Sequence, residues 1–269
     1  MGKKVILITG ASSGIGKAAA EYLLEKGHTV YGASRTAADR NLSFTALKMD
    51  VNNDDSVNEA ISRIINKEGK FDVVINCAGF GLAGSIEDTS VDEAKALFET
   101  NFFGVFRVCK AVIPKMRKQK SGLIINIGSL AGLVPIPFQA FYSSSKYAIE
   151  SMTETLRMEL LPFGIRVVLI EPGDFNTGFT ANRKISAQSE INDNYRKKFS
   201  KAVSIMETDE SNGPSPVKIT GLIGRILDNP SPRLRYTTGK LSQILPVKLR
   251  NFLPHKLSEF LLMKYYGLS

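Results

Sequence analysis

The chain opens on Val5-Ile6-Leu7-Ile8 and runs at once into Thr9-Gly10-Ala11-Ser12-Ser13-Gly14-Ile15-Gly16. The aliphatic run suits a strand buried on both faces. Lys17 to Lys26 reads as a helix that stops at Gly27. Strand, glycine-rich turn and helix in this order form a phosphate cradle. The glycines let backbone approach a pyrophosphate, and the helix N-terminus offers free N–H groups with a partial positive charge. The fingerprint needs that context, which is present. An ordinary tight βα turn is the plainer alternative.

The same alternation continues along the chain. Strands are predicted at 4–9, 28–33, 44–49, 72–76, 122–128 and 165–170, and helices at 14–27, 54–68, 91–117 and 140–162. Short buried strands alternating with helices imply a parallel sheet with helices on both faces. The predicted fold is therefore a three-layer, doubly wound α/β sheet of Rossmann type. Pro114 falls inside 91–117 and is expected to kink or shorten that helix. Glu207 to Pro216 is polar and contains Pro and Gly, so an exposed loop is expected there.

A second feature carries chemistry. Tyr142 and Lys146 are four residues apart, so on a helix they share a face. A Lys⁺ beside a phenol stabilises the phenolate and lowers a pKa normally near 10. Such a group can give a proton to a developing alkoxide or take one from an alcohol. Ser129 lies upstream at the end of the apolar run Leu123 to Gly128. By itself the Tyr-x-x-x-Lys spacing also fits a surface tyrosine beside a solvated lysine.

Taken together, these residues resemble the short-chain dehydrogenase/reductase family. Thr9 to Gly16, including Gly10, Ser12, Ser13, Gly14, Ile15 and Gly16, is similar to its cofactor loop. Asn76-Cys77-Ala78-Gly79 is similar to its Asn-Asn-Ala-Gly motif, with Cys77 in place of the second Asn. Asn101, Ser129, Tyr142 and Lys146 fall where its catalytic tetrad falls. Pro172-Gly173 and Thr177 resemble its nicotinamide-binding Pro-Gly-x-x-x-Thr. The motifs run in family order from about residue 5 to residue 180.

The resemblance implies one NAD(P)-binding domain over 1–269, with 185–269 covering the substrate. It implies that Asp50 bonds the adenine amino group and Val51 lines that pocket; a helix N-cap is the other reading of Asp50. Tyr142 is expected to donate the proton, and Ser129 to hydrogen-bond the same oxygen. Lys146 is expected to bind ribose hydroxyls, and Asn101 to hold a water beside Lys146.

Cofactor choice turns on Thr29-Val30-Tyr31-Gly32-Ala33-Ser34-Arg35-Thr36. NAD enzymes of this fold usually place an acid here, which repels a 2′-phosphate. No acid occurs between Thr29 and Thr36; the nearest is Asp39. Arg35 can pair with a phosphate and Ser34 can donate to it. NADP(H) is the expected cofactor.

The 269 residues carry a net charge of +9. From Val217 to Ser269 there are nine Lys or Arg and two acids, a net +7, interleaved with leucines and phenylalanines. The segment can be a helix with a solvated basic face, a membrane-surface segment, a contact for an anionic substrate, or a subunit contact. No recognition motif supports nucleic-acid binding. Two cysteines and two histidines without ligand spacing argue against a metal site.

No apolar stretch reaches the roughly 18 residues of a spanning helix, so a cytoplasmic chain is expected, with membrane-surface association as the open alternative. The Pro- and Leu-rich tail resembles the hydroxysteroid and retinol dehydrogenase branch more than the oxoacyl reductases, whose closing Asp-Gly-Gly is missing. The resulting reading is an NADP(H)-dependent oxidoreductase acting on a lipophilic carbonyl or alcohol. A 3-oxoacyl thioester reductase and a non-catalytic NADPH-sensing regulator are the rivals, and association as a homodimer is left open.

Overall fold

A computed structural model describes residues 2–36 and 42–269; Asp39 lies outside the described residues. β1 (Val5–Thr9), α1 (Gly14–Glu25), β2 (Thr29–Ser34), β3 (Thr45–Lys48), α2 (Asp54–Glu68) and β4 (Val73–Asn76) build the first half. A two-residue strand β5 (Leu82–Ala83), α3 (Val91–Phe98), α4 (Gly104–Gln119), β6 (Gly122–Ile127), α5 (Ala140–Leu160) and β7 (Ile165–Pro172) follow. Then come α6 (Phe179–Asn182), β8 (Lys184–Ile185), α7 (Ala187–Ile191), α8 (Arg196–Ser211), α9 (Val217–Asp228), β9 (Arg235–Thr238), α10 (Leu241–Leu249) and α11 (His255–Tyr265).

Among the described residues the main sheet has seven parallel strands in the order β3-β2-β1-β4-β6-β7-β9. This is the doubly wound sheet expected. β1 shows why its sequence has no polar position. Val5 and Leu7 enter a core with α2, α4 and α5, while Ile6 and Ile8 enter another with α1 and α9. Alternate side chains of a strand point to opposite faces, so a strand covered on both sides must be apolar throughout. The order of connection reverses between β1 and β4, which opens a crevice at the carboxyl ends of the strands.

Three expectations are corrected. The helix predicted over 91–117 is interrupted, but not at Pro114: α4 runs through it. Lys110, whose carbonyl loses its partner to Pro114, is itself exposed, so water can replace the lost donor. The break is instead a π-turn over Glu99–Phe103, which contains Asn101. The loop expected over 207–216 is helical as far as Ser211, because α8 buries Phe199, Ala202, Met206 and Glu210. Beyond 185 the chain also adds α9 against α1 and a seventh strand, β9, against β7. No helix of the described residues is long and apolar enough to cross a membrane.

Candidate active site

The carboxyl ends of β1, β2, β4, β6 and β7 border one cleft of ≈ 560 Å³. Its floor is the turn after β1. Gly10 has φ +66, and a Cβ there would lie 2.9 Å from Ala78 backbone; a Cβ on Gly16 would lie 2.5 Å from the Gly10 carbonyl oxygen. Neither position has room for a side chain. Ser13 caps α1 with extended backbone, so the free N–H groups of the first turn face the cleft's floor. The Thr9 hydroxyl, buried, accepts from the amides of Cys77 and Ala78, each at 3.0 Å, and ties this turn to the end of β4.

Gly10, Ser12, Ser13, Gly14, Ile15 and Gly16 of the loop line the cleft, as do Ser34, Arg35, Asp50, Val51, Ala78, Gly79, Ser129, Tyr142, Lys146, Pro172, Gly173 and Thr177. Two do not. Asn76 is buried and its amide donates to Asn126 Oδ1 at 2.8 Å across the sheet, so it braces β4 rather than facing a ligand. Asn126 in turn donates to the Thr153 hydroxyl at 2.9 Å. Asn101 is also buried: its Oδ1 accepts from the Phe80 amide and its Nδ2 donates to the Phe80 carbonyl, both at 3.0 Å. That side chain clamps the loop after β4, so the water-holding role expected of it finds its side-chain groups already engaged.

At the end of β2 the Ser34 hydroxyl oxygen is buried without a hydrogen-bond partner among the described residues, and Arg35 beside it is exposed. An orphaned polar atom next to a free guanidinium fits an anionic ligand group. Asp50 is not the helix cap, because Asn53 takes that role for α2 by accepting from the Ser56 amide. Asp50 Oδ1 instead accepts from the Asn52 amide at 3.0 Å, which holds the carboxylate at the cleft.

Ser129, Tyr142 and Lys146 meet at the other end. The Ser129 oxygen accepts from the Ala131 amide at 3.1 Å, and its hydroxyl lies close enough to the Tyr142 phenol to favour the ionised form. Lys146 Nζ donates to the Ile127 carbonyl at 3.0 Å and lies 5.8 Å from the Tyr142 ring centre. Burial pushes the Tyr142 phenol up to about 12, with the nearby Ser129 hydroxyl opposing. Burial lowers the Lys146 ammonium to about 8. The expectation of a depressed tyrosine is thus not met, because dehydration of the phenol outweighs its neighbours.

Sequence reasoning missed the polar wall beside Tyr142. Asp174 and Glu210 line the cleft there. Asp174 is pushed up to about 6 by burial and by Glu210 and Asp209, while Gln243 of α10 holds it through both its amide groups. Glu210 pairs with Arg183 and accepts from the Thr180 hydroxyl. Phe80, Ile136 and Phe179 supply apolar wall opposite, with the Phe179 ring 5.6 Å from that of Tyr142. Of the described residues from 185 onward, Glu210 alone reaches the cleft. The tail beyond 240 therefore does not donate apolar side chains to it as expected.

A sequence model described as short chain dehydrogenase matches residues 4–188. Over 268 residues, all of both chains, the sequence is 44% identical to a 3-ketodihydrosphingosine reductase of Bacteroides thetaiotaomicron. It is 37% identical over 192 residues to human retinol dehydrogenase 8, covering 65% of this chain and 60% of that one. The fold superposes with TM-score 0.79 on a short chain dehydrogenase/reductase from Burkholderia phymatum solved in complex with NAD, at 25% identity and 93% coverage of each chain.

Proposed function

The chain belongs to the short-chain dehydrogenase/reductase family, and on that premise we propose that it is an NADP(H)-dependent reductase of a long-chain ketone bearing an amino group beside the carbonyl. The observation that carries the reading is the convergence of Ser129, Tyr142 and Lys146 on one edge of the cleft, with Lys146 Nζ 5.8 Å from the Tyr142 ring centre.

The nicotinamide, when bound, supplies the hydride. The residues of this chain do the rest. Tyr142 gives its proton to the carbonyl oxygen as charge develops there. Ser129 donates to the same oxygen, since its own oxygen is already satisfied by the Ala131 amide. Lys146 lies where it can bind ribose hydroxyls and favour the phenolate left behind. Asn101 positions the Ala78-Gly79-Phe80 loop from behind.

The turn from Gly10 to Gly16 would hold the cofactor's pyrophosphate, Asp50 and Val51 its adenine, and Pro172, Gly173 and Thr177 its nicotinamide; all of them line the cleft. Ser34 and Arg35 would take a 2′-phosphate, which would satisfy the orphaned Ser34 oxygen.

Two observations support the substrate. A relative matched over the whole of both chains is a 3-ketodihydrosphingosine reductase, and that ketone carries an ammonium next to its carbonyl and a long alkyl chain. Asp174 lies on the wall beside Tyr142, where a carboxylate would receive such a cation. The test is NADPH oxidation with a long-chain 2-amino-3-ketone, compared with the same ketone lacking the amine. Preference for the amino ketone is expected. Equal turnover of the two would remove the amine from the reading, and no turnover of either would overturn the reading as a whole.

A further inference from the structure

The last thirty residues place their apolar side chains outward. α10 has no buried residue. Its inward positions are Gln243, Ile244 and Val247, all half-buried, while Leu241, Leu245 and Leu249 are exposed by 73%, 50% and 46%. These recur at i, i+4 and i+8 and form one stripe, continued by Phe252 at 85% exposure. α11 repeats the arrangement: Ser258 is its sole buried residue, and Leu257, Phe260 and Leu261 share an exposed face. A helix docked on a globular core shows the reverse pattern.

The surface is held rigidly beside the cleft. Gln243 holds Asp174, Arg250 donates to the Leu133 carbonyl at 2.7 Å and the Tyr147 hydroxyl at 3.2 Å, and the Tyr265 hydroxyl donates to Asp209 at 2.6 Å. Asp174 lines the cleft, Tyr147 follows Lys146, and Asp209 precedes Glu210. The outward leucines and phenylalanines are thus anchored to residues of, or next to, the site. From 240 to 269 the chain carries five Lys or Arg against the single acid Glu259, a net +4. Lys248 lies among the exposed leucines of α10, and Lys256 and Lys264 flank those of α11.

From this coincidence of exposed apolar stripe and cationic rim we infer that α10 and α11 dock the protein on an anionic phospholipid surface, with the cleft next to the bilayer. Apolar side chains enter the headgroup boundary and the lysines meet anionic headgroups. Charge complementarity selects this occupant over a second copy, because two copies of a +4 face repel. The inference rests on the surface alone and not on the substrate proposed above.

The test uses the whole chain and vesicles of phosphatidylcholine with or without phosphatidylglycerol. Sedimentation with the anionic vesicles only, weakening as salt rises, is expected. Each cation removed should weaken binding roughly fivefold, so Lys248→Ala with Lys256→Ala should lower it roughly 25-fold. Leu245→Asp with Phe252→Asp and Phe260→Asp should abolish it, while far-UV dichroism and turnover of a short soluble ketone stay as in wild type. Protein left in the supernatant with both vesicle types, or vesicle binding retained by the triple variant, overturns the inference. So does a dimer in sedimentation equilibrium that the triple variant dissolves, since the face then belongs to a second copy. Failure of ketone turnover alone bears on the proposed reaction and not on this one.

Discussion

Lys146 Nζ lies 5.8 Å from the ring centre of Tyr142, one turn back along α5, and donates to the Ile127 carbonyl at 3.0 Å. The carbonyl at the end of β6 thus fixes the ammonium on the face of the helix that carries the phenol. Ser129, whose oxygen accepts from the Ala131 amide, lines the same cleft, so a carbonyl oxygen entering beside Tyr142 meets two hydroxyl groups already placed.

Removing the phenol hydroxyl tests this arrangement. Tyr142→Phe keeps the ring against Phe179 and deletes the proton donor. A positioned acid contributes typically 10²–10⁴-fold, so reduction is expected to fall by about that factor while NADPH fluorescence still reports binding. Turnover within a few-fold of wild type would show that the proton comes from elsewhere.

The pH profile follows from Lys146. Burial lowers its ammonium to about 8, so its charge is present below that pH and lost above it. Tyr142, pushed up to about 12, keeps its proton throughout the neutral range. Reduction should be level up to about pH 8 and fall beyond it. A rate that climbs through this region would mean that Lys146 acts uncharged.

Much of the nucleotide half was legible because its signals are local. β1, the turn and α1 are contiguous, and the turn's glycines are required by contacts within a few residues or at the next strand. Other parts were hidden by distance or by exposure. Asn76 looked like a ligand-facing residue, yet it meets Asn126, fifty positions away. β9 was missed because Arg235-Tyr236-Thr237-Thr238 is an edge strand, half-exposed and without an apolar run. α8 was disguised by its charged ends; its buried Phe199, Ala202 and Met206 at helical spacing were the available signal. Asp174 and Glu210 offered none, since only the tertiary fold brings them to Tyr142.

Glu171 makes a stability prediction. It is 1% exposed in β7, and neither carboxylate oxygen finds a hydrogen-bond donor from a neutral or cationic group. Burial, then the facing Glu150 carboxylate, pushes it up to about 8. Its folded pKa is raised, so its contribution is full below the ordinary carboxylate range near 4.5 and is lost as pH rises towards 8. Glu171→Gln should therefore raise the melting temperature at pH 8 by a few degrees, at roughly 2–4 °C per kcal/mol, and change it little at pH 5. An equal shift at both pH values would point to packing rather than ionisation.

Cofactor preference depends on Arg35, exposed at the end of β2 beside the unpartnered Ser34 oxygen. A charge-assisted hydrogen bond contributes roughly 1.5–3 kcal/mol, or about one to two decades in affinity. Arg35→Asp removes the cation and adds an acid that repels a phosphate and can accept from a ribose hydroxyl. Both changes act in the same direction, so the ratio of kcat/KM for NADPH to that for NADH should fall by at least about tenfold. Ser34→Ala should lower the same ratio by less, because it loses a neutral donor without introducing repulsion. The ratio is the quantity to compare, since a general loss of activity moves both cofactors together and leaves it unchanged. If wild type already prefers NADH, or if neither variant moves the ratio, Arg35 is a solvated loop cation and the 2′-phosphate is not read at this strand end.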